Sequence, residues 1–209
     1  MPRVTFLPGP DPLQSKGDLR AAIRALREQG QDVRDVELIQ GGLYAHQAQW
    51  FGQYRVGSGQ IRLTNNVQGW EADVRGLQRF LDQWQATTGY AAPPMCWPGS
   101  PDEFLADTLA HEYGHKRSVE KVGNPLAPGF DWKDHLPSDL YVEIDWALKL
   151  EKIDPASYNR KVAEVLAEDM RRYLSGRDSY FNVETRKADL DDWARAWRRV
   201  REVAKWLGV

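Results

Sequence analysis

Short strand-like runs and helical stretches succeed one another in the first half of the chain. Residues 4–7 read as a short strand. Asp18 stands where an N-cap belongs, ahead of Leu19, Ile23 and Leu26 at helical spacing, and Gly30 ends that run. Residues 36–39 form a second strand candidate. Residues 43–56, rich in aromatics, and residues 60–63 are separated by Gly57-Ser58-Gly59, which predicts a hairpin with glycine in its turn. Between 70 and 85 the pattern is helical, with Val74, Leu77, Phe80 and Leu81 on one face. Residues 89–101 collect prolines and glycines and read as a loop.

The second half is mostly helical in pattern. Ser100-Pro101-Asp102-Glu103 places a serine at the cap, a proline in the first turn and a glutamate three residues on, a capping box that opens a helix running to about Ser118. Residues 123–137 read as a loop and 140–150 as a helix. A further helix starts near Pro155 or Ser157 and stops at Gly176. The last, residues 190–207, carries Trp193, Trp197, Val200, Ala204 and Leu207 on a stripe that packs on the core. A small sheet followed by packed helices is an α+β layout.

Composition narrows the classes. The chain has 209 residues, of which 42% are apolar and 28% charged, enough for one large soluble domain. A net charge of −2 gives no basic footprint for nucleic acid. No apolar run is long enough to span a membrane. Cys96 is the only cysteine, so no intrachain disulfide can form. With no apolar leader evident at the N-terminus, a cytoplasmic location is expected.

The chemistry concentrates in His111-Glu112-Tyr113-Gly114-His115. Residues four apart share a helix face, so both imidazoles can point at one ion. Zinc suits that pair, and one zinc per chain is expected. Glu112, next to the first histidine, is placed to act as general base on an activated water. A third ligand is needed. Lys121 occupies the position where an extended zincin pattern has a third histidine, and His135 sits in the loop. A carboxylate is the better candidate. Glu164 and Glu168 lie one turn apart; Asp169, an acid on the apolar side, reads as a buried hydrogen-bond acceptor or a fallback ligand, Glu168 is a fallback as well, and Glu143 and Asp145 are weaker ones. Periodicity alone argues the other way. Tyr158, Val162, Leu166, Met170 and Tyr173 form the apolar stripe of that helix, and Glu164 falls nearly opposite, on what would be a solvated face. Gly114 suggests close approach of another backbone. His46 reads as an ordinary surface or core histidine, and Cys96 as a small buried residue.

The His-Glu-x-x-His run followed by Glu164-Val165-Leu166-Ala167-Glu168 on a later helix resembles the gluzincin metallopeptidases. The likeness is to the compact minimal gluzincins and to the catalytic domain of anthrax lethal factor, and it covers roughly residues 100–175. It implies a zincin-like fold, with a small mixed sheet whose edge strand lies over the active-site helix. It implies Glu164 as third zinc ligand, Glu168 orienting a ligand histidine, and Tyr158 stabilising the oxyanion. In such enzymes an edge strand binds extended substrate by strand addition, and Gln60, Ile61, Arg62 and Leu63 stand in the right chain order for it.

The expectation is therefore a zinc-dependent endopeptidase acting on a protein or peptide substrate, without nucleic-acid or membrane partners. It is a single domain over 1–209, with an N-terminal segment 1–55 of unassigned role, a catalytic core 56–176 and a packing helix within 177–209. The alternative is a non-catalytic zinc-binding or helical interaction module. The intact Glu112 argues against it, because a structural zinc site has no use for a base and usually carries four protein ligands.

Overall fold

A computed structural model of the chain describes residues 3–6, 19–28, 30–31, 37–40, 52–63, 86, 101–150, 155–176 and 190–209. The helix expected over 70–85, the proline-rich loop up to residue 100, His46 and Cys96 lie outside the described residues. Contacts group the chain into two compact units, Met1–Leu109 and Ala110–Val209, and each is described by itself.

In the first unit, β1 (Arg3–Phe6) is followed by α1 (Leu19–Glu28) and β2 (Glu37–Gln40). The helix buries Ile23 and Leu26, two of the residues that set its spacing. Gly30 follows at φ 81°, a left-handed conformation that terminates a helix at little cost only for glycine. Next come β3 (Gly52–Arg55) and β4 (Gln60–Leu63). Their turn closes with the amides of Ser58 and Gly59 donating to the Arg55 carbonyl, and Gly59 takes φ 67°. The glycine-bearing hairpin expected from sequence is therefore present.

These strands form one mixed sheet in the order β1-β2-β4-β3. β1 and β2 pair in parallel, as do β2 and β4, and β3 runs antiparallel to β4. A small mixed sheet preceding helices matches the α+β expectation. The reading of residues 60–63 as an edge strand does not survive. Gln60–Leu63 pairs with Glu37–Gln40 on one side and with Gly52–Arg55 on the other. Its backbone donors and acceptors are engaged on both flanks, so no peptide can add to it. Ile61 and Leu63 are fully buried, so Gln60, Ile61, Arg62 and Leu63 form an internal strand rather than a substrate ledge. The hairpin signal shows that β3 and β4 pair. It does not show which of them the preceding strands will join. Among the described residues the sheet edges are β1 and β3.

Helix α2 (Pro101–Val122) begins where the proline and capping-box signals put it, and the boundary between the two units falls inside it. The second unit continues with a single 3-10 turn (Trp132–Asp134), α3 (Ser138–Leu150), a second 3-10 turn (Pro155–Ser157), α4 (Tyr158–Ser175) and α5 (Leu190–Leu207). Gly176 ends α4 at φ 64°, its amide donating to the Arg172 carbonyl. α4 packs against α3 and α5, and α3 against α5. Their interior is built from Ile144, Leu148, Val162, Leu166, Met170, Val200, Val203 and Leu207, all at most 3% exposed. Each such side chain stabilises the fold by about 1.5–3 kcal/mol relative to exposure. Trp132, fully buried, anchors the loop before α3: its indole N–H donates to the Asn159 carbonyl, while the Asn159 amide donates to the Phe130 carbonyl. The start of α4 is thereby fixed.

The stripe expected on α4 is only partly the buried face. Val162, Leu166 and Met170 are buried, but Tyr173 is exposed. Ala163, Val165, Ala167, Glu168, Asp169, Arg171 and Arg172 are buried as well, so the helix is enclosed on nearly every side. A helix sandwiched between others has no single apolar face, and periodicity cannot resolve it.

Among the described residues, no helix is long and apolar enough to cross a membrane.

Candidate metal centre

α2 and α4 meet at Gly114. A Cβ built on that residue would sit 2.8 Å from the Ala167 Cα and 3.2 Å from the Ala167 carbonyl oxygen. The missing side chain is what lets the two backbones come together, as the sequence suggested. His111 and His115 flank Gly114 on α2. Glu164 and Glu168 flank Ala167 on α4. Closing the helices at their two small residues therefore places a pair of imidazoles opposite a pair of carboxylates.

The two rings lie 4.9 Å apart, edge to face. An oxygen of Glu164 is 3.3 Å from Nε2 of His111 and 3.6 Å from Nε2 of His115. Ligand atoms of His111, His115 and Glu164 all lie within 4.8 Å of one another. A tetrahedral zinc with bonds of about 2.0–2.1 Å has donor-to-donor edges of about 3.3–3.4 Å. Both nitrogen-to-oxygen separations are close to that edge. Two imidazole nitrogens and one carboxylate oxygen are also the donor chemistry zinc takes in hydrolytic sites. The residues present fit a zinc ion. The Glu164 side chain remains 49% exposed, which leaves this corner open to solvent.

The other ring nitrogen of His111 is held too. Nδ1 lies 3.2 Å from Oε2 of Glu168, which is nearly fully buried. Glu168 in turn accepts from Arg171, whose Nε is 3.1 Å from both carboxylate oxygens and whose Nη2 is 3.0 Å from Oε1. Burial alone would push the Glu168 carboxyl up. The Arg171 charge and the hydrogen bond from His111 outweigh it and hold the group well below the usual carboxylate range. Glu164 follows the same pattern: burial raises it, and the hydrogen bonds from His111 and His115 bring it far below that range. Burial would likewise lower His111, but the hydrogen bonds to Glu164 and Glu168 and the nearby Glu112 charge raise it to about 10.

Glu112, at 6% exposed, stands one residue beyond His111 on the same helix. Tyr158, at the start of α4, is committed elsewhere. Its hydroxyl lies 3.0 Å from the Tyr141 hydroxyl and 3.0 Å from Oδ1 of Asp145. Burial, followed by these two hydrogen bonds, pushes it above the usual phenol range. Donation to an oxyanion would require that hydroxyl to leave Asp145.

The fallback ligands are all engaged in other contacts. His135 stacks on Phe130 at 4.5 Å. Glu143 pairs with Arg195 at 2.6 Å. Asp145 pairs with Lys149 at 2.6 Å as well as receiving Tyr158. Asp169, fully buried, accepts from Nε of Arg199 at 2.6 Å, Nη2 of Arg199 at 2.9 Å and Nη1 of Arg172 at 3.2 Å. That Arg-Asp-Arg cluster ties α4 to α5 and bears out the reading of Asp169 as a buried acceptor, but its partners Arg172 and Arg199 were missed from sequence, as was Arg171. The only signal for any of them was an acid followed by an arginine three residues on, at 168/171 and 169/172.

No family model matches the chain, and no curated protein or solved structure gives a match to it.

Proposed function

We propose that the chain is a zinc-dependent endopeptidase of the gluzincin type. The observation that carries this reading is a single Glu164 oxygen 3.3 Å from Nε2 of His111 and 3.6 Å from Nε2 of His115, with the ligand atoms of all three residues within 4.8 Å of one another, beside a glutamate one residue after the first histidine. His111, His115 and Glu164 would hold the ion. Bound there, zinc would supply Lewis acidity and a water acidic enough to attack a peptide carbonyl near neutral pH. Glu112 accepts the proton of the attacking water on its carboxylate and delivers it to the leaving amine. Glu168 receives Nδ1–H of His111 and fixes the ring with Nε2 toward the ligand cluster. Three protein ligands with an open corner favour catalysis over a structural role, which usually takes four.

The test is metal analysis of the purified chain, together with peptide hydrolysis by the wild type and by Glu112→Gln. One zinc per chain and hydrolysis lost in Glu112→Gln with zinc retained are expected. A chain that takes up no divalent ion would end the proposal, and a Glu112→Gln variant of undiminished activity would remove the assigned base.

A further inference from the structure

Arg171 is a buried cation that reaches the histidine side of the cluster through another group. Its guanidinium and the Glu168 carboxylate have side chains 4% and 6% exposed. Nε is shared between both carboxylate oxygens at 3.1 Å, Nη2 adds a contact to Oε1 at 3.0 Å, and Nη1 points back to the Ser175 hydroxyl at 3.4 Å. The guanidinium is thus held at both ends, by Glu168 and by a residue one helical turn further along α4. A planar fork gripped in this way fixes the plane of the carboxylate as well as its position. One of those two oxygens, Oε2, is also the one 3.2 Å from Nδ1 of His111.

We infer that Arg171 is a positioning residue for the metal centre: by clamping both oxygens of Glu168, it aims Oε2 at Nδ1 of His111 and so presents Nε2 of that ring to the ion. This rests on the metal reading above and adds to it a residue that never touches the ion. The chain of contacts is Arg171 to Glu168 to His111, and each link is a single hydrogen-bonded pair. Glu168 has rotatable bonds between its backbone and its carboxylate, so position on α4 does not by itself fix the carboxylate plane. Residue type matters for the same reason. A lysine at 171 would bring a charge but no fork, leaving the carboxylate free to turn about its own axis. Loss of a group that orients a ligand histidine weakens metal binding by about 10–100-fold.

The experiment is a zinc titration of the full chain against a competing chelator, for the wild type, Arg171→Met and Arg171→Lys. It is read together with the nitrogen-coupled proton signal of His111 Nδ1–H in the zinc-loaded protein. The inference expects Arg171→Met to bind zinc about 10–100-fold more weakly, with Arg171→Lys between it and the wild type. The Nδ1–H signal should broaden or vanish in Arg171→Met, a change that a purely stabilising ion pair would not cause. Should Arg171→Met fail to fold, Arg171→Lys carries the test alone, with weakened affinity and a shifted Nδ1–H signal expected. Folded variants with wild-type affinity and an unchanged signal would overturn the role of Arg171 and leave the metal site standing. A wild type that binds no zinc would instead overturn the metal reading itself.

Discussion

Gly114→Ala is the smallest change that should separate the two halves of the ligand set. Alanine is the better helix former by about 1 kcal/mol, so on local grounds the substitution stabilises α2. The space argues the opposite. The new methyl would stand 2.8 Å from the Ala167 Cα and 3.3 Å from the Met170 Cβ. Carbon atoms pack at about 3.5–4.0 Å, so the helices must part by roughly 0.7 Å or more. The obstacle is backbone, which no rotamer change can move aside. Overpacking of this kind costs about 1–3 kcal/mol, leaving a net loss of about 0–2 kcal/mol after the propensity gain. The site is affected as well as the fold. The Glu164 oxygen, now 3.3 and 3.6 Å from the two imidazole nitrogens, would retreat to about 4 Å or beyond, past the edge of a tetrahedron with bonds of about 2.0–2.1 Å. A loss of zinc affinity of at least about tenfold, or 1.4 kcal/mol, is expected. Thermal melts with and without zinc separate the two effects, because an ion that binds only the folded state raises the midpoint by an amount that grows with the logarithm of its affinity. Gly114→Ala should melt slightly lower without metal and lose much of the zinc-dependent increment. A variant that melts above the wild type and keeps the full increment would refute the close approach of α2 and α4.

Other changes probe the same geometry. Glu164→Ala should reduce zinc affinity more than Glu168→Ala, measured by chelator competition; the reverse order would make Glu168 the ligand. His111, raised to about 10 in the metal-free protein, keeps a proton at neutral pH that zinc must displace. Calorimetric titration in buffers of different ionisation heat should therefore register proton release at pH 7, and zinc uptake without any release would contradict it. The same shifts set the pH dependence of metal-free stability. The His111 contribution is complete below its unfolded value of 6.5 and fades as pH rises toward about 10. The Glu164 and Glu168 contributions are present above their unfolded value of 4.5 and fade as pH falls. The melting temperature of the metal-free protein should thus be highest between 4.5 and 6.5, and a maximum in the alkaline range would count against these pairings. Asp169→Asn removes the charge between two buried guanidinium groups and should cost about 3–5 kcal/mol in denaturant unfolding; an unmoved midpoint would show that the Arg172 and Arg199 contacts add little.

Local signals served the sequence reading well. The 190–207 helix, the Gly176 stop, the proline-led start of α2 and the glycine turn of the hairpin each depend on residues adjacent in the chain, and each is found where expected. The two histidines were legible because four residues on a helix is a local spacing as well. Pairing between distant segments was not. The sequence marks β3 and β4 as partners but carries nothing that says β2 will take the free flank of β4, so the edge was assigned to the wrong strand. The two carboxylates of α4 were ambiguous for a related reason. Opposite an apolar stripe both read as solvated; Glu164 does remain half-exposed, and Glu168 is the one that is buried, on the side where α2 approaches at Gly114.

The burial of α4 then becomes intelligible as a consequence of its tasks. Glu168 and Asp169 are adjacent, so their side chains leave the helix about 100° apart. One reaches His111 on α2, and the other reaches Arg199 on α5. Each acid also takes an arginine from the next turn of α4 itself, Arg171 for Glu168 and Arg172 for Asp169. Such neighbouring acids aimed at two different helices fix the rotation of α4 about its own axis. A turn that relaxed one contact would break the other. Apolar packing alone tolerates small rotations, because one aliphatic contact replaces another at little cost. Under the proposed metal reading, Glu164 must hold its oxygen near both imidazole nitrogens, now at 3.3 and 3.6 Å, and cannot tolerate such rotations. The buried charges on α4 are costly as stability elements, and they make sense as the means of holding Glu164 at one angle to the histidines.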